Sequence, residues 1–322
     1  MCLLIAGPAL SADAGPGPSP TAERLARRCR PRAANRWWIP QGTLLWGTLR
    51  GWTEQAAKGD RGNVLASVDL DGSTPALGLE GGHLAGKGVV GAVLRGTDAD
   101  GKPVEVAICD AEPSPEDPGT VWYRIQAWNP VAQDWQNPCL GIGDVLDPRA
   151  LAVSGTWDEG GAHHDAARRF TFACENGAIS KCARWGYRPW EVRDGRSLAD
   201  AHQACTRMAR ADYCGNGKSH TREGALIDHY DAFGINARTT QASQAWDPAK
   251  ASFEAAWAPD GAVCLARTRD DRALESILQE CPGRFQPGAV DLGNGDRCAV
   301  RRPDASAAGP VLRNRSLPAA AR

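Results

Sequence analysis

One stretch of the chain predicts a helix with a clear beginning and end: Ser197-Leu-Ala-Asp-Ala-His-Gln-Ala-Cys-Thr-Arg-Met-Ala-Arg-Ala-Asp-Tyr-Cys214. Ser197 is a favourable N-cap residue, and Asp200 follows it at the spacing of a capping box. Small and apolar side chains recur at helical spacing, at Leu198, Ala201, Cys205, Met208 and Ala209. We therefore predict a helix over about 198–213 that buries this face and is ended by Gly215 and Gly217.

Two titratable residues, His202 and Asp212, share the face that should be buried. A buried carboxylate is costly unless it is paired or hydrogen-bonded. We predict that Asp212 is at least half buried, accepts backbone N–H groups or an arginine just beyond the helix end, and holds the turn that follows. The alternative is that Asp212 is a general acid/base or a ligand-binding group.

The end of this helix, Ala211-Asp-Tyr-Cys214, resembles the signature of the ADYC domain, a bacterial family named for that tetrapeptide. Further motifs match the same family: Cys174 and Cys182 followed by Gly186-Tyr-Arg-Pro-Trp190, then Ser219-His-Thr221 and Ile227-Asp-His-Tyr-Asp231. The resemblance covers roughly residues 155–285, and more weakly the strand-rich part before them. It implies no particular activity.

Composition excludes several classes of protein. The chain has 322 residues, 23% charged and 42% hydrophobic, which is typical of a soluble globular protein with one large domain or two smaller ones. A net charge of −1 argues against a dedicated nucleic-acid-binding protein. The sequence contains no apolar run of about 18 residues, so no transmembrane helix is predicted.

Cysteine usage predicts the compartment. Eleven cysteines are present, and ten remain if Cys2 is lost with a leader peptide. None forms a Cys-Xaa-Xaa-Cys pair, so zinc or redox sites are disfavoured and disulfides in an extracytoplasmic compartment are expected, rather than buried thiols. The ten are Cys29, Cys109, Cys139, Cys174, Cys182, Cys205, Cys214, Cys264, Cys281 and Cys298. Local pairs, Cys109 with Cys139 and Cys174 with Cys182, are the first expectation.

The remaining chain divides by composition. Residues 1–14 end in an Ala-Xaa-Ala-like site and are predicted to be the end of a truncated secretory signal peptide. Residues 15–36 are predicted to be a linker that becomes arginine-rich. Residues 299–322, with five arginines against one acid, are predicted to be a disordered tail.

Between these segments we predict an α+β protein. Residues 37–157 form an antiparallel β-rich region, and residues 158–298 form a disulfide-stabilised mixed α/β region with a second helix near 270–280. Asp98–Gly101 predicts a hairpin turn rather than a calcium loop. The strand runs are Thr43–Leu49, Val64–Leu70, Val89–Leu94, Val104–Ile108, Val121–Trp128 and Ala150–Val153.

Four residues are candidate catalytic groups: His202, Asp212, His220 and Asp228. His220, with Asp228 or with the His229 and Asp231 pair, could bind a metal or act in acid/base catalysis. In a strand, however, Asp228 and His229 would face opposite sides, and no third ligand is evident. We therefore predict no metal site and no cofactor. A cysteine nucleophile is disfavoured because the cysteines should be paired, and a serine triad lacks a nucleophile-elbow pattern.

Twelve tryptophans are a large number for this chain. Trp122, Trp128 and Trp135 could form a glycan-binding face, or they could simply pack in the core. Two functions remain open. The first is a non-enzymatic binding or structural module, whose partner would be an envelope glycan or another surface component. The second is a hydrolase acting outside the cytoplasm through the four candidate residues.

Overall fold

The computed structural model describes residues 24–29, 64–69, 78–80, 83–85, 89–97, 103–139, 141, 145–158, 160–166, 169–221, 224–303 and 312–317. Over these ranges the protein is β-rich with few helices, which confirms the α+β class in its coarse form. The described residues include no helix with the length and apolar character needed to cross a membrane. The predicted signal peptide lies outside the described residues.

The first half of the fold is built from short antiparallel strands. They are β1 (Val64–Asp69), β2 (Gly78–Glu80), β3 (His83–Ala85), β4 (Val93–Thr97), β5 (Pro103–Pro113), β6 (Val121–Asn129), β7 (Asp134–Gln136), β8 (Ala150–Ser154), β9 (Thr156–Trp157), β10 (His163–His164) and β11 (Arg169–Cys174). Five of the predicted runs overlap strands, whereas Thr43–Leu49 lies outside the described residues. The strands flanking the predicted turn at 98–101 pair antiparallel, with Thr97 opposite Pro103.

Seven of these strands form one sheet in the order β5-β4-β1-β11-β8-β6-β7. Because β5 pairs with β6 as well as with β4, the sheet closes on itself. Its enclosed core includes Ile108, Ile125, Phe170 and Phe172, which are buried because inward and outward residues alternate along a strand. β11 belongs to this sheet, so the sheet crosses the boundary predicted at residue 157.

The second half contains three helices and a second sheet. The helices are α1 (Ala178–Arg184), α2 (Ala199–Arg210) and α3 (Leu274–Glu280). The strands are β12 (Val192–Arg193), β13 (Arg196–Ser197), β14 (Ile227–Asp231), β15 (Ser252–Ala258), β16 (Gly261–Leu265), β17 (Gln286–Asp291), β18 (Arg297–Arg301) and β19 (Leu312–Ser316). Six strands form an antiparallel sheet in the order β14-β19-β15-β16-β18-β17, and β12 pairs with β13 in a separate hairpin.

Two helices lie between the sheets. Ile179 and Ala183 of α1 pack with Leu151 and Val153 on the outer face of the closed sheet. The buried face of α2 packs with residues of the second sheet, such as Trp257 and others in the same core cluster. α2 is therefore the central element of the second core.

All ten predicted cysteines form disulfides. The bonds are Cys29–Cys109, Cys139–Cys174, Cys182–Cys205, Cys214–Cys281 and Cys264–Cys298, with Cα separations of 5.0 to 5.8 Å. Oxidation is therefore as predicted, but both local pairings are wrong.

The reason for the wrong pairings is the side of the sheet on which each cysteine lies. Cys139 and Cys174 lie in the core of the closed sheet, whereas Cys182 lies on α1 facing α2. Cys109 is only partly buried and lies where the β5–β6 register shifts, outside that core. Neighbours in sequence thus face different cores, and each cysteine finds a distant partner.

The ends of the described chain depart from prediction. Leu312–Ser316 is not disordered, because it forms β19, which pairs with both β14 and β15. Residues 24–29 are also more than a linker. Arg24 forms a 2.6 Å ion pair with Glu105 and Cys29 bonds to Cys109, so this segment is fastened to β5.

We predict that a chain truncated after Pro303 loses the second sheet. β19 lies between two strands, and its removal exposes two ladders of backbone donors and acceptors together with the apolar face that α2 covers. Thermal unfolding followed by circular dichroism should show a lower midpoint or no cooperative transition. A chain truncated after Leu317 is the control and should melt like the full chain. Equal midpoints for the two truncations would contradict the placement of β19.

Candidate functional site

The predicted helix is confirmed over most of its length, but its ends differ. α2 begins after Leu198, which is the N-cap and makes no side-chain capping bond. Ser197 instead accepts a 3.2 Å hydrogen bond from the N–H of Ala199 through Oγ. Leu198, Ala201, Cys205 and Met208 are buried as predicted, whereas Ala209 is only partly buried.

α2 ends at Ala211, before the glycines at 215 and 217 that were predicted to stop it. Ala211 has φ 53° and ψ 41°, a left-handed conformation that usually favours glycine. The N–H of Asp212 donates to the carbonyl of Arg207, and the N–H of Ala211 donates to that of Met208. This pair of bonds is a Schellman motif with alanine in the position that glycine commonly occupies.

A buried arginine donates to two carbonyls at this end, one of which, Met208 O, also accepts from Ala211 N–H. Arg269 donates through Nη2 to Met208 O at 2.7 Å and through Nη1 to Ala209 O at 2.9 Å. Its charge also suits the negative end of the helix dipole. Arg269 arrives from a loop more than 50 residues away, so no local sequence signal reveals this cap.

The loop after the helix supplies the remaining donors. The backbone N–H of His220 and the Ser219 hydroxyl both donate to Arg210 O, at 3.0 and 2.7 Å. His220 Nδ1 lies 3.0 Å from Ala211 O. The Ser-His-Thr motif therefore closes the helix end, and its histidine is almost completely buried.

Asp212 is fully buried and pairs with an arginine from its own helix. Arg207 Nη1 lies 2.6 Å from Asp212 Oδ2. The backbone N–H groups of Asn216 and Gly217 donate to the same carboxylate at 3.1 and 2.9 Å. Asp212 thus has the predicted burial and backbone donors, but its arginine partner comes from within the helix and not from beyond its end. It fixes the turn containing Cys214.

Tyr213 enters a polar cluster inside the second core. Its hydroxyl donates to Glu254 at 3.1 Å and accepts from the backbone N–H of Arg269 at 2.8 Å. Glu254 and Arg269 form a bidentate ion pair at 2.8 and 3.1 Å. Burial and the Glu254 charge raise the pKa of Tyr213 well above its usual value, so its hydroxyl stays protonated.

Glu254 and Arg269 were not predicted to take part, because they lie far in sequence from the Ala-Asp-Tyr-Cys motif. One signal was available: Glu254 is a single acid within the apolar run Phe253-Glu-Ala-Ala-Trp257, which predicts a buried carboxylate in a strand. Its partner could not be identified, because several arginines fit equally well.

Cys214 links the turn to α3 through its bond with Cys281. Glu280, next to Cys281, lies 3.1 Å from His220 Nε2 and also pairs with Lys218. Burial alone would raise the pKa of Glu280, but these two partners lower it. Each residue of the Ala-Asp-Tyr-Cys signature therefore has a different structural contact.

The other two candidates lie elsewhere. His202 is fully buried against α1, with Nε2 3.1 Å from Ile179 O. Asp228 lies on β14 and pairs with Arg315 of β19, and Thr239 donates to it through its hydroxyl at 2.7 Å. The structure thus brings Asp212 and His220 to the same helix end and leaves His202 and Asp228 in separate contacts.

The weaker candidates also have structural contacts. His229 packs on Trp185, with ring centroids 4.5 Å apart, and burial lowers its pKa. Asp231 accepts a 2.8 Å bond from the Tyr187 hydroxyl and several loop N–H groups. Within the described ranges, no group of three or more histidine, cysteine or acidic side chains is arranged to hold a metal ion.

Of the two alternatives for the tryptophans, the structure supports packing within the fold. Trp122 and Trp135 are buried, at 3% and 1% exposure. Trp128 lies on the edge of Trp135, beneath the guanidinium groups of Arg24 and Arg27. These three tryptophans therefore do not offer an open surface for stacking on a sugar.

We predict that Asp212→Asn lowers the free energy of unfolding by about 3–5 kcal/mol, because it leaves the Arg207 charge buried without a counter-charge. Chemical denaturation measures the change. Asp247→Asn, at a half-exposed carboxylate paired with Lys250, is the matched control and should change stability little. Equal stability of the Asp212 variant and the wild type would reject the structural role, and loss of a ligand by a stable variant would favour a functional one.

Burial of His202 should make the protein sensitive to mild acid. Burial lowers the pKa of His202 from 6.5 to about 4, so between these pH values the unfolded chain binds a proton that the folded chain does not. Stability that is complete above pH 6.5 is therefore lost as pH falls towards 4, by about 3 kcal/mol. His202→Gln should flatten this part of the stability curve, and His164→Gln, at an exposed site, should not. Parallel curves for His202→Gln and wild type would contradict the assignment.

Comparison with known proteins identifies one family. A family model described as the ADYC domain matches residues 86–271, which include β4 to β16, α1 and α2, but not α3 or the last three strands. The chain matches no curated protein and no solved structure with which it was compared. The family match covers more than half of the chain and includes the signature at residues 211–214. This chain therefore belongs to the ADYC domain family.

Proposed function

We propose that the protein is a non-enzymatic binding or structural module that works outside the cytoplasm. The observation that carries this proposal is the burial of the four candidate catalytic residues: His202 is 1% exposed, Asp212 0%, His220 2% and Asp228 6%. A general acid or base must come within hydrogen-bonding distance of its substrate. Each of these side chains instead contacts a carbonyl, an ion-pair partner or a backbone N–H within the fold.

The disulfides support a location outside the cytoplasm. Five bonds tie together segments separated by 23 to 80 residues, and such bonds persist in oxidising environments. An extracytoplasmic environment follows from them. Secretion, a periplasmic location and attachment to the cell surface are all consistent with this environment, and the envelope is the proposed place of action.

The proposed partner is an envelope component. The chain presents a rigid scaffold whose loops carry many charged side chains, including the arginines around Asp260. Loops held on a rigid scaffold are common positions for binding groups. Because Trp122 and Trp135 are buried, contact with such a partner is proposed through these loops and not through an aromatic face.

Co-sedimentation with isolated bacterial cell envelopes separates this proposal from a hydrolase. The oxidised full-length protein should sediment with envelopes in a saturable manner, while no soluble glycan, peptide or phosphate accumulates with time. His220→Gln should bind as the wild type does if it remains folded. Time-dependent product release that this variant lacks would identify a hydrolase, and absence of both binding and products would reject the binding module.

A further inference from the structure

Three loops meet beside the C-terminal half of α2. Arg207 donates through Nε to Pro259 O at 3.1 Å and through Nη1 to Gly160 O. Gln203 donates to Gly161 O at 2.9 Å. These bonds hold residues 160–161 and the β15–β16 turn at 259–261 against the helix, next to the loop that follows Cys214.

The β15–β16 turn carries an unusual arginine contact. Arg302 Nη1 lies 2.7 Å from both carboxylate oxygens of Asp260. Arg284 lies 3.7 Å from the same carboxylate, which is beyond a good hydrogen bond, and donates instead to the Asp260 backbone carbonyl. The Nε of Arg284 is buried, and within the described part of the chain it has no hydrogen-bond partner.

Charges around Arg284 do not balance. Arg207 is paired with Asp212, and Arg302 is paired with Asp260. Arg284 shares the Asp260 carboxylate with Arg302, at a distance of 3.7 Å, so three guanidinium groups face two carboxylates here. Burial and the charges of Arg302 and Arg207 lower the pKa of Arg284, even though Asp260 and Asp212 oppose this shift. A buried donor without a partner calls for a ligand or a solvent molecule to satisfy it.

The backbone at this place is tightly constrained. A Cβ atom at Gly215 would lie 1.8 Å from Asp260 O, and one at Gly261 would lie 2.9 Å from Arg284 Nη2. Both glycines also have positive φ, 69° and 120°. The absence of these two side chains lets the turn approach the signature segment, and it fixes the carbonyl that orients Arg284.

We propose that Arg284, with Arg302 and the Asp260 turn, forms a binding site for an oxyanion of the phosphate class. The anion would balance the excess of guanidinium groups at this place, and an oxygen that reaches Arg284 Nε, which is buried, would supply its missing acceptor. Guanidinium groups bind phosphate through paired N–H donors. Both side chains are reachable, at 21% and 17% exposure. A free phosphate and a phosphate in a lipid headgroup present the same oxygens.

Titration with inorganic phosphate at constant ionic strength tests the site. Calorimetry should show saturable binding to the wild-type protein. Arg284→Gln should weaken it by about ten-fold or more, as the loss of one charge-assisted contact implies. Arg284→Lys keeps the positive charge but lacks the paired N–H donors of a guanidinium group, and should bind phosphate with intermediate affinity. Arg188→Gln is the matched control, because Arg188 is similarly exposed at 24% but is paired with Asp117 and Glu191, and it should bind as the wild type does.

Two further measurements address an unfolded Arg284→Gln variant and the source of the phosphate group. If Arg284→Gln does not fold, Asp260→Asn should bind phosphate more tightly, because it removes the competing carboxylate and keeps both arginines. Sedimentation with phosphatidylcholine vesicles, with and without phosphatidic acid, separates the sources: Arg284-dependent binding to acidic vesicles identifies a headgroup, and binding of inorganic phosphate alone identifies a free anion.

No saturable response of the wild-type protein to phosphate, or equal weakening by Arg284→Gln and Arg188→Gln, would overturn the site. The probe and the variants do not depend on envelope binding. A protein that binds phosphate but not envelopes would therefore leave this site intact while rejecting the proposed function.

Discussion

The carbonyl groups at the C-terminal end of α2 need hydrogen-bond donors that the helix itself cannot provide. This end is buried between the two sheets, so water cannot supply them either. The fold provides them from three places: the Schellman turn at Ala211, the guanidinium of Arg269 and the loop at Ser219 and His220. The signature tetrapeptide and the motif after it are positioned by this requirement.

The same requirement brings charge into the core. Arg269 can reach the helix end only if its charge is balanced. Glu254 of the second sheet supplies the negative charge, and the Tyr213 hydroxyl of the signature donates a hydrogen bond to Glu254. A fully buried ion pair gains little net stability over apolar packing, but breaking it is costly. Its role here is to fix the direction in which the chain leaves α2, which in turn sets the Cys214–Cys281 bond and the position of α3.

Disulfides then join elements that already pack against each other in one core. Cys182–Cys205 joins α1 to α2, and Cys139–Cys174 closes the loop between the end of β7 and β11. A scaffold held by such bonds can place charged loops with little freedom of movement. Buried polar side chains in this scaffold differ in their hydrogen bonding. Asp212 and His220 have complete sets of hydrogen-bond partners, whereas Arg284 Nε has none among the described residues.

Local patterns in the sequence determined five strands of the closed sheet, the helix near 198–213, the burial of Asp212 and the oxidised cysteines, because each depends on residues within a few positions or on composition alone. Tertiary structure decided the rest. Ala211 ends α2 because distant donors cap it, Cys174 pairs with Cys139 because the two face one core, and the arginine-rich residues 312–316 form a central strand because Asp228 lies opposite Arg315. These outcomes depend on contacts between segments tens of residues apart, and such contacts leave no periodic signal in the sequence.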